Sequence, residues 1–196
     1  MDPALQSITQ LIVLFFVIFD PFVSLAVFVI ATQSMQRKER NRVASLAVLV
    51  AAGISLIVLI LGHELLTLLS TSLDDFRVAG GIILGLLGIK MVWGQSLAFG
   101  ESIKNNSAKA VAAIIGTPLL TGPAAITAIM IGVNDYGHVA TGAAVAVVLG
   151  ITAIMFYQAN AIQKALGNTT LQVISTILGL ITVAWGVKFI RAGLGI

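Results

Sequence analysis

Cysteine is absent from the 196-residue chain. No disulfide, no thiolate chemistry and no cysteine-based zinc site is possible. Charge is scarce as well. Only 10% of residues are Asp, Glu, Lys or Arg, against about 25% in soluble domains. No Walker A motif occurs, so nothing indicates direct use of ATP. His63-Glu64 lacks a second histidine four residues on, so it is not a metal motif. Met1-Asp2-Pro3 has no basic n-region and no small-residue cleavage site follows, so no removable signal peptide is expected. These absences point away from an enzyme, and no cofactor is implied.

Apolar residues are plentiful. The chain is 58% hydrophobic, with a mean hydropathy of +1.05. A spanning helix needs about 20 mostly apolar residues. Six runs qualify, at roughly residues 5–32, 43–61, 76–97, 108–133, 139–161 and 171–192. Barrel strands would need only about 9–11 alternating residues, so the runs are helices. The sequence therefore predicts an all-α polytopic membrane protein.

The formal net charge is +3. The bases cluster in predicted loops, which indicates membrane topology rather than a nucleic-acid partner. Arg37, Lys38, Arg40 and Arg42 stand together beside a span and mark the cytoplasmic side. Lys104, Lys109 and Lys164 then fall inside, and Glu64, Asp74, Asp75 and Asp135 outside. Both termini come out extracytoplasmic. Arg77, Lys188 and Arg191 oppose the bias but are fewer. Lys90 is expected to snorkel toward the cytoplasmic interface, and Arg77 to pair locally with Asp74 and Asp75.

The two halves resemble each other. Residues Ile83-Leu84-Gly85-Leu86 recur as Ile177-Leu178-Gly179-Leu180. A break at Asp20-Pro21 in the first run recurs within Thr117-Pro118-Leu119-Leu120-Thr121-Gly122-Pro123 in the fourth. Three spans per half is odd, so the halves must enter the membrane from opposite sides, as an inverted repeat. The repeats cover residues 1–98 and 108–196, joined by a cytoplasmic linker at 99–107. Gly80, Gly81, Gly85 and Gly88 crowd the third run, and Gly81-x-x-x-Gly85 spacing permits close helix packing.

The breaks carry the functional signal. Proline lacks an N–H and clashes with the preceding turn. Pro21, Pro118 and Pro123 should thus free the carbonyls of Val17, Ile114 and Leu119. Loose backbone groups persist at membrane depth only where protein or a polar cavity covers them. Paired broken helices in two halves point to a transporter site. Asp20 is the only carboxylate deep in a predicted span, where a charge costs roughly 2.5–3.5 kcal/mol on insertion scales. It can cap the half-helix after Pro21, hold a substrate ammonium, or carry a coupling proton or cation. At Gly122-Pro123 the N–H groups that follow, including those of Ala125 and Ile126, are expected to be free for an anion. Ala124 and Ala125 would leave room for a ligand. Ser24, Thr117, Thr121 and Thr127 either face it or bond back to their own helices.

These residues resemble the MarC family. The likeness rests on Asp20-Pro21, on Phe76-Arg77-Val78-Ala79-Gly80-Gly81 and on Thr117 to Thr127, and it covers nearly the whole chain. The resemblance implies an inner-membrane protein of six helices. It also implies transport of small neutral amino acids such as glycine and alanine, driven by the proton-motive force. On that basis the substrate-binding set is Asp20, Pro21, Ser24, Thr117, Thr121, Gly122, Pro123, Ala124 and Ala125, with Asp20 in proton coupling and no metal. The partners are a zwitterionic amino acid, a coupling proton or sodium ion, and the lipid bilayer. The alternatives are a passive channel, an exporter of other small solutes, an intramembrane enzyme and a structural membrane subunit.

Overall fold

The computed structural model describes residues 3–68, 70–94 and 106–196; for residues 3–7, His63, Pro118 and Asn168 it describes the backbone alone. All regular structure among them is helical. The order is α1 (Pro3–Phe19), α2 (Pro21–Thr32), α3 (Arg37–Leu68), α4 (Leu73–Val92), α5 (Ala108–Ile114), a π-helix (Ile115–Leu120), α6 (Pro123–Tyr157) and α7 (Ala159–Leu194). Lys104, most of the expected linker and the expected end of the third run near Leu97 lie outside the described residues.

Four stretches are long and apolar enough to cross a membrane: Ile8–Thr32, Arg37–Gly62, Pro123–Tyr157 and Thr169–Leu194. Two features separate this from the six expected runs. First, α4 carries Asp74, Asp75, Arg77 and Lys90 within its 20 residues. Second, the 35 residues of α6 are not one rod. Gly137 takes φ 81°, ψ 166°, a conformation that suits glycine. A Cβ on Gly132 would lie 3.0 Å from Thr141 Cγ2. Nine residues of straight helix would separate those positions by about 13.5 Å. The chain therefore folds back at Gly137, and residues 123–136 and 138–157 form a helical hairpin. Both arms meet α3: Met130 lies against Gly62, and Gly142 against Leu59.

The stretch Ile8–Thr32 is 78% buried, whereas the other three are 28–39% buried. Hence α1 and α2 form the centre, and the other helices surround them. Phe15 and Phe19 stack at 5.8 Å, and Phe28 lies flat on Phe156 at 4.6 Å. Apolar side chains on the outer helices, such as Leu49, Leu56, Leu86, Ile177 and Leu180, are exposed, as a lipid-facing surface requires.

Helices α4 and α7 pack antiparallel through glycine. A Cβ on Gly81 would stand 2.6 Å from the Gly186 carbonyl oxygen, and one on Gly88 2.5 Å from that of Gly179. Gly193 meets the Asp74 carbonyl in the same register. Side chains at these positions would force the backbones apart, which is why small residues line the contact.

Helix ends follow capping chemistry. Ser72 and Asp75 make a reciprocal capping box that starts α4. The Ser72 hydroxyl and N–H hold the Asp75 carboxyl below its ordinary value. Ser107 accepts the Ala110 N–H at 3.3 Å and starts α5. The basic run 37–42, expected in a loop, instead forms the first turns of α3. A 32-residue helix is about 48 Å long, so its charged start projects beyond a hydrocarbon core of about 30 Å. That end is tied to the start of α7 by Arg40 Nη1 donating to Asn160 Oδ1 at 2.8 Å.

Candidate functional site: two helix breaks inside the bundle

The first break is one residue long. The chain leaves α1 at Phe19, turns at Asp20 and re-enters a helix at Pro21. Asp20 has φ 39°, ψ 72°, in the left-handed region that only Asn and Asp among ordinary residues tolerate well. A residue before proline is normally extended, so the turn is strained. Strain of this kind costs of order 1–3 kcal/mol and collects at functional sites.

Part of the Asp20 side chain is accounted for locally. Its Oδ1 accepts the Val23 N–H at 3.2 Å, an N-cap as expected. Its Oδ2 is buried and has no hydrogen-bond partner among the described residues. The residue is only 5% exposed. Ser24 donates its hydroxyl to the Phe19 carbonyl at 3.2 Å. That carbonyl lies on the last turn of α1, where Pro21 interrupts the ladder.

The second break is built differently. Pro118 does not leave the Ile114 carbonyl free, as the sequence reading expected, because residues 115–120 form a π-helix. There each carbonyl is served by the N–H five residues on. The Ile114 carbonyl, which Pro118 cannot serve, passes to Leu119. The wider register ends where both the N–H and the hydroxyl of Thr121 donate to the Gly116 carbonyl, at 3.2 and 2.6 Å. Gly116 itself presses on the Ala47 carbonyl of α3, which anchors this segment.

Gly122 then caps α6 with φ −71°, ψ 177° and no side-chain hydrogen bond. The Ile126 N–H is not free as expected; it donates to the Gly122 carbonyl at 3.1 Å. The Ala124 and Ala125 N–H groups have no acceptor among the described residues. Both alanines are buried, at 4% and 1% exposure. Thr127 bonds back to the Pro123 carbonyl at 3.0 Å and packs against Gly80 of α4.

Helix α2, which begins at the first break, packs against both the π-helix and α6. Of the sequence-selected residues, Asp20, Pro21, Ser24, Thr121, Ala124 and Ala125 are buried, Gly122 is half-buried, and Thr117 and Pro123 are exposed. Three of the four selected hydroxyls are already engaged with backbone carbonyls. What remains for a ligand is one carboxyl oxygen at the first break and two backbone N–H groups at the second. Lys90 is exposed on the last turn of α4. Arg77 donates to Asp74 and also, across the bundle, to Asp135, both at 2.8 Å. The second partner lies 58 residues away, and only tertiary structure reveals it. Among the described residues no cluster of metal-ligating side chains occurs.

The chain is similar to known membrane proteins of archaea and bacteria. Over 187 residues the chain is 32% identical to the UPF0056 membrane protein MJ1677 of Methanocaldococcus jannaschii, covering 91% of each. It is 29% identical to the UPF0056 membrane protein YhcE of Escherichia coli, over 91% of this chain and 87% of that one. It is 28% identical to YvbG of Bacillus subtilis, over 95% and 93%. No solved structure matches. The family model described as MarC family integral membrane protein matches residues 5–195, and the chain belongs to that family.

Proposed function

We propose that the protein is a secondary transporter of small neutral amino acids of the glycine and alanine type, coupled to protons and working by alternating access. The observation that carries this is Asp20 Oδ2, buried at one break without a donor among the described residues, while the other break offers two N–H groups with no acceptor among them. An unpaired carboxyl oxygen in an apolar interior demands a donor. A helix start attracts an anion. A zwitterion supplies an ammonium to the first and a carboxylate to the second. Ala124 and Ala125 keep the space small, which suits a side chain no larger than methyl.

The architecture supports two inverted repeats, residues 1–98 and 108–196. The antiparallel α4–α7 contact is what a two-fold axis in the membrane plane requires. Leu86 and Leu180, the last members of the repeated tetrapeptides, lie between the Gly81–Gly186 and Gly88–Gly179 contacts, near its centre. The fold-back at Gly137 divides α6 into the fourth and fifth spans of a six-span chain. The basic start of α3 supports a cytoplasmic side for the end holding Arg37–Arg42, and with it a plasma-membrane protein with both termini outside.

Asp20→Asn tests the reading, because Asn caps and tolerates a left-handed turn about as well as Asp. In proteoliposomes the parent should accumulate labelled glycine and alanine under a pH gradient and not under a sodium gradient. Asp20→Asn should keep its thermal stability and lose gradient-driven uptake. Parent-level uptake in that variant would reduce Asp20 to a cap.

A further inference from the structure

A cavity of about 570 Å³ opens at the end of the bundle where α1 begins and α7 ends. It does not reach Asp20. Leu11 and Leu14 line its inner side. Beyond them Phe15 touches the Gly132 position and stacks on Phe19, the residue before Asp20. Two aromatic rings therefore stand between the cavity and the first break.

The wall of the cavity bears both signs of charge. Asp135 receives Arg77 at 2.8 Å and Asn134 at 2.9 Å, both on Oδ1. Its Oδ2 takes no donor among the described residues. Lys188 lies over the Trp185 ring with Nζ 4.4 Å from the centroid. It has no carboxylate within salt-bridge distance among the described residues. An ammonium on an aromatic face keeps its other donors free. Most of the remaining wall is apolar, with Val13 and Phe189 prominent.

We propose that this cavity is a second, outer site for a zwitterionic α-amino acid. Lys188 takes its carboxylate, and Asp135 Oδ2 its ammonium. The apolar wall takes the side chain. The inference rests on amino acids being the cargo, and it adds a site of different selectivity. The volume and apolar lining admit side chains that Ala124 and Ala125 exclude. The outer site is therefore a broad capture site and the inner one a narrow filter. Arg77 acts here as a positioning residue, since it occupies Oδ1 and leaves Oδ2 for the ammonium.

Labelled L-leucine is the probe, because it fits the outer cavity and not the inner space. Equilibrium binding is measured on the full chain in nanodiscs. Leucine should bind the parent and Asp20→Asn alike. Lys188→Gln and Asp135→Asn should each weaken binding tenfold or more, and Lys188→Gln breaks no ion pair among the described residues. Isovalerate, which lacks the ammonium, and isopentylamine, which lacks the carboxylate, should compete poorly. The same paired charges occur in a phosphoethanolamine headgroup, so glycerophosphoethanolamine is a further competitor. Displacement by it, with leucine inert, would assign the cavity to lipid and overturn the proposal. No leucine binding in the parent, or unchanged binding in both charge variants, would overturn it too. Failure of the inner-site reading shows separately, as parent-level glycine uptake by Asp20→Asn.

Discussion

At Asp20 the chain turns left-handed before a proline, and the side chain covers the Val23 N–H. At Gly122 it passes extended before a proline, and among the described residues nothing accepts the Ala124 and Ala125 N–H groups. Both breaks begin a helix inside the bundle, yet they leave opposite remainders. The first satisfies a backbone donor and retains a surplus acceptor, Oδ2. The second needs no strained dihedral, since φ −71° suits any residue, and retains surplus donors. The approaches differ too. An α-helix runs straight into Asp20, whereas a π-helix absorbs Pro118 before Thr121. A pair of identical breaks would present like to like. The asymmetry is what the proposed zwitterionic ligand would use.

Several substitutions sharpen or break this comparison. The largest effect is expected from filling the space at the second break. Ala125→Leu should abolish glycine binding and uptake, with an overpacking cost of roughly 1–3 kcal/mol in stability. Glycine binding at the parent level would place the ligand elsewhere. Next comes Gly122→Ser, which gives the second break the kind of cap the first one has. Its hydroxyl would accept an N–H that now has no acceptor. Thermal stability should hold or rise by a few tenths of a kcal/mol, while glycine affinity falls about tenfold, as loss of one hydrogen bond to a charged group implies. An affinity that survives while the cap forms would remove the second break from the site. The smallest effect belongs to Thr121→Val. The Gly116 carbonyl keeps the Thr121 N–H, so stability should fall by only about 0.5–1.5 kcal/mol and uptake should persist. Loss of uptake with an intact fold would mean that the Thr121 hydroxyl meets the substrate after all.

The sequence shows the breaks plainly because proline and a lone intramembrane carboxylate are conspicuous in apolar runs. It shows the glycine face of α4 for the same reason. Other features depend on information that no local window holds. The π register is one: Pro118 reads as a helix breaker until the hydrogen bonds are followed from Ile114 to Thr121. The Arg77–Asp135 pair is another, since its members lie on helices whose adjacency is tertiary. The basic run 37–42 was expected in a loop because its residues are charged; they are good helix formers and simply extend α3 past the apolar zone. Ser24, Thr121 and Thr127 illustrate a general limit. A hydroxyl near a break serves a ligand or a carbonyl equally well on paper, and only geometry shows the carbonyl.

The α4–α7 contact also bears on how the protein is made. Gly81 and Gly88 find their partners, Gly186 and Gly179, about a hundred residues later in the chain, and synthesis proceeds at roughly 5–20 residues per second. For several seconds the first half therefore resides in the bilayer with its smooth glycine face turned to lipid. The helix that covers it, α7, emerges only after the three that follow α4. Truncation anywhere before residue 186 would leave that face uncovered and open to the wrong neighbour, including α4 of another nascent chain. Helix α7 thus acts as a completion signal for this face, and its assembly waits on the synthesis of that helix.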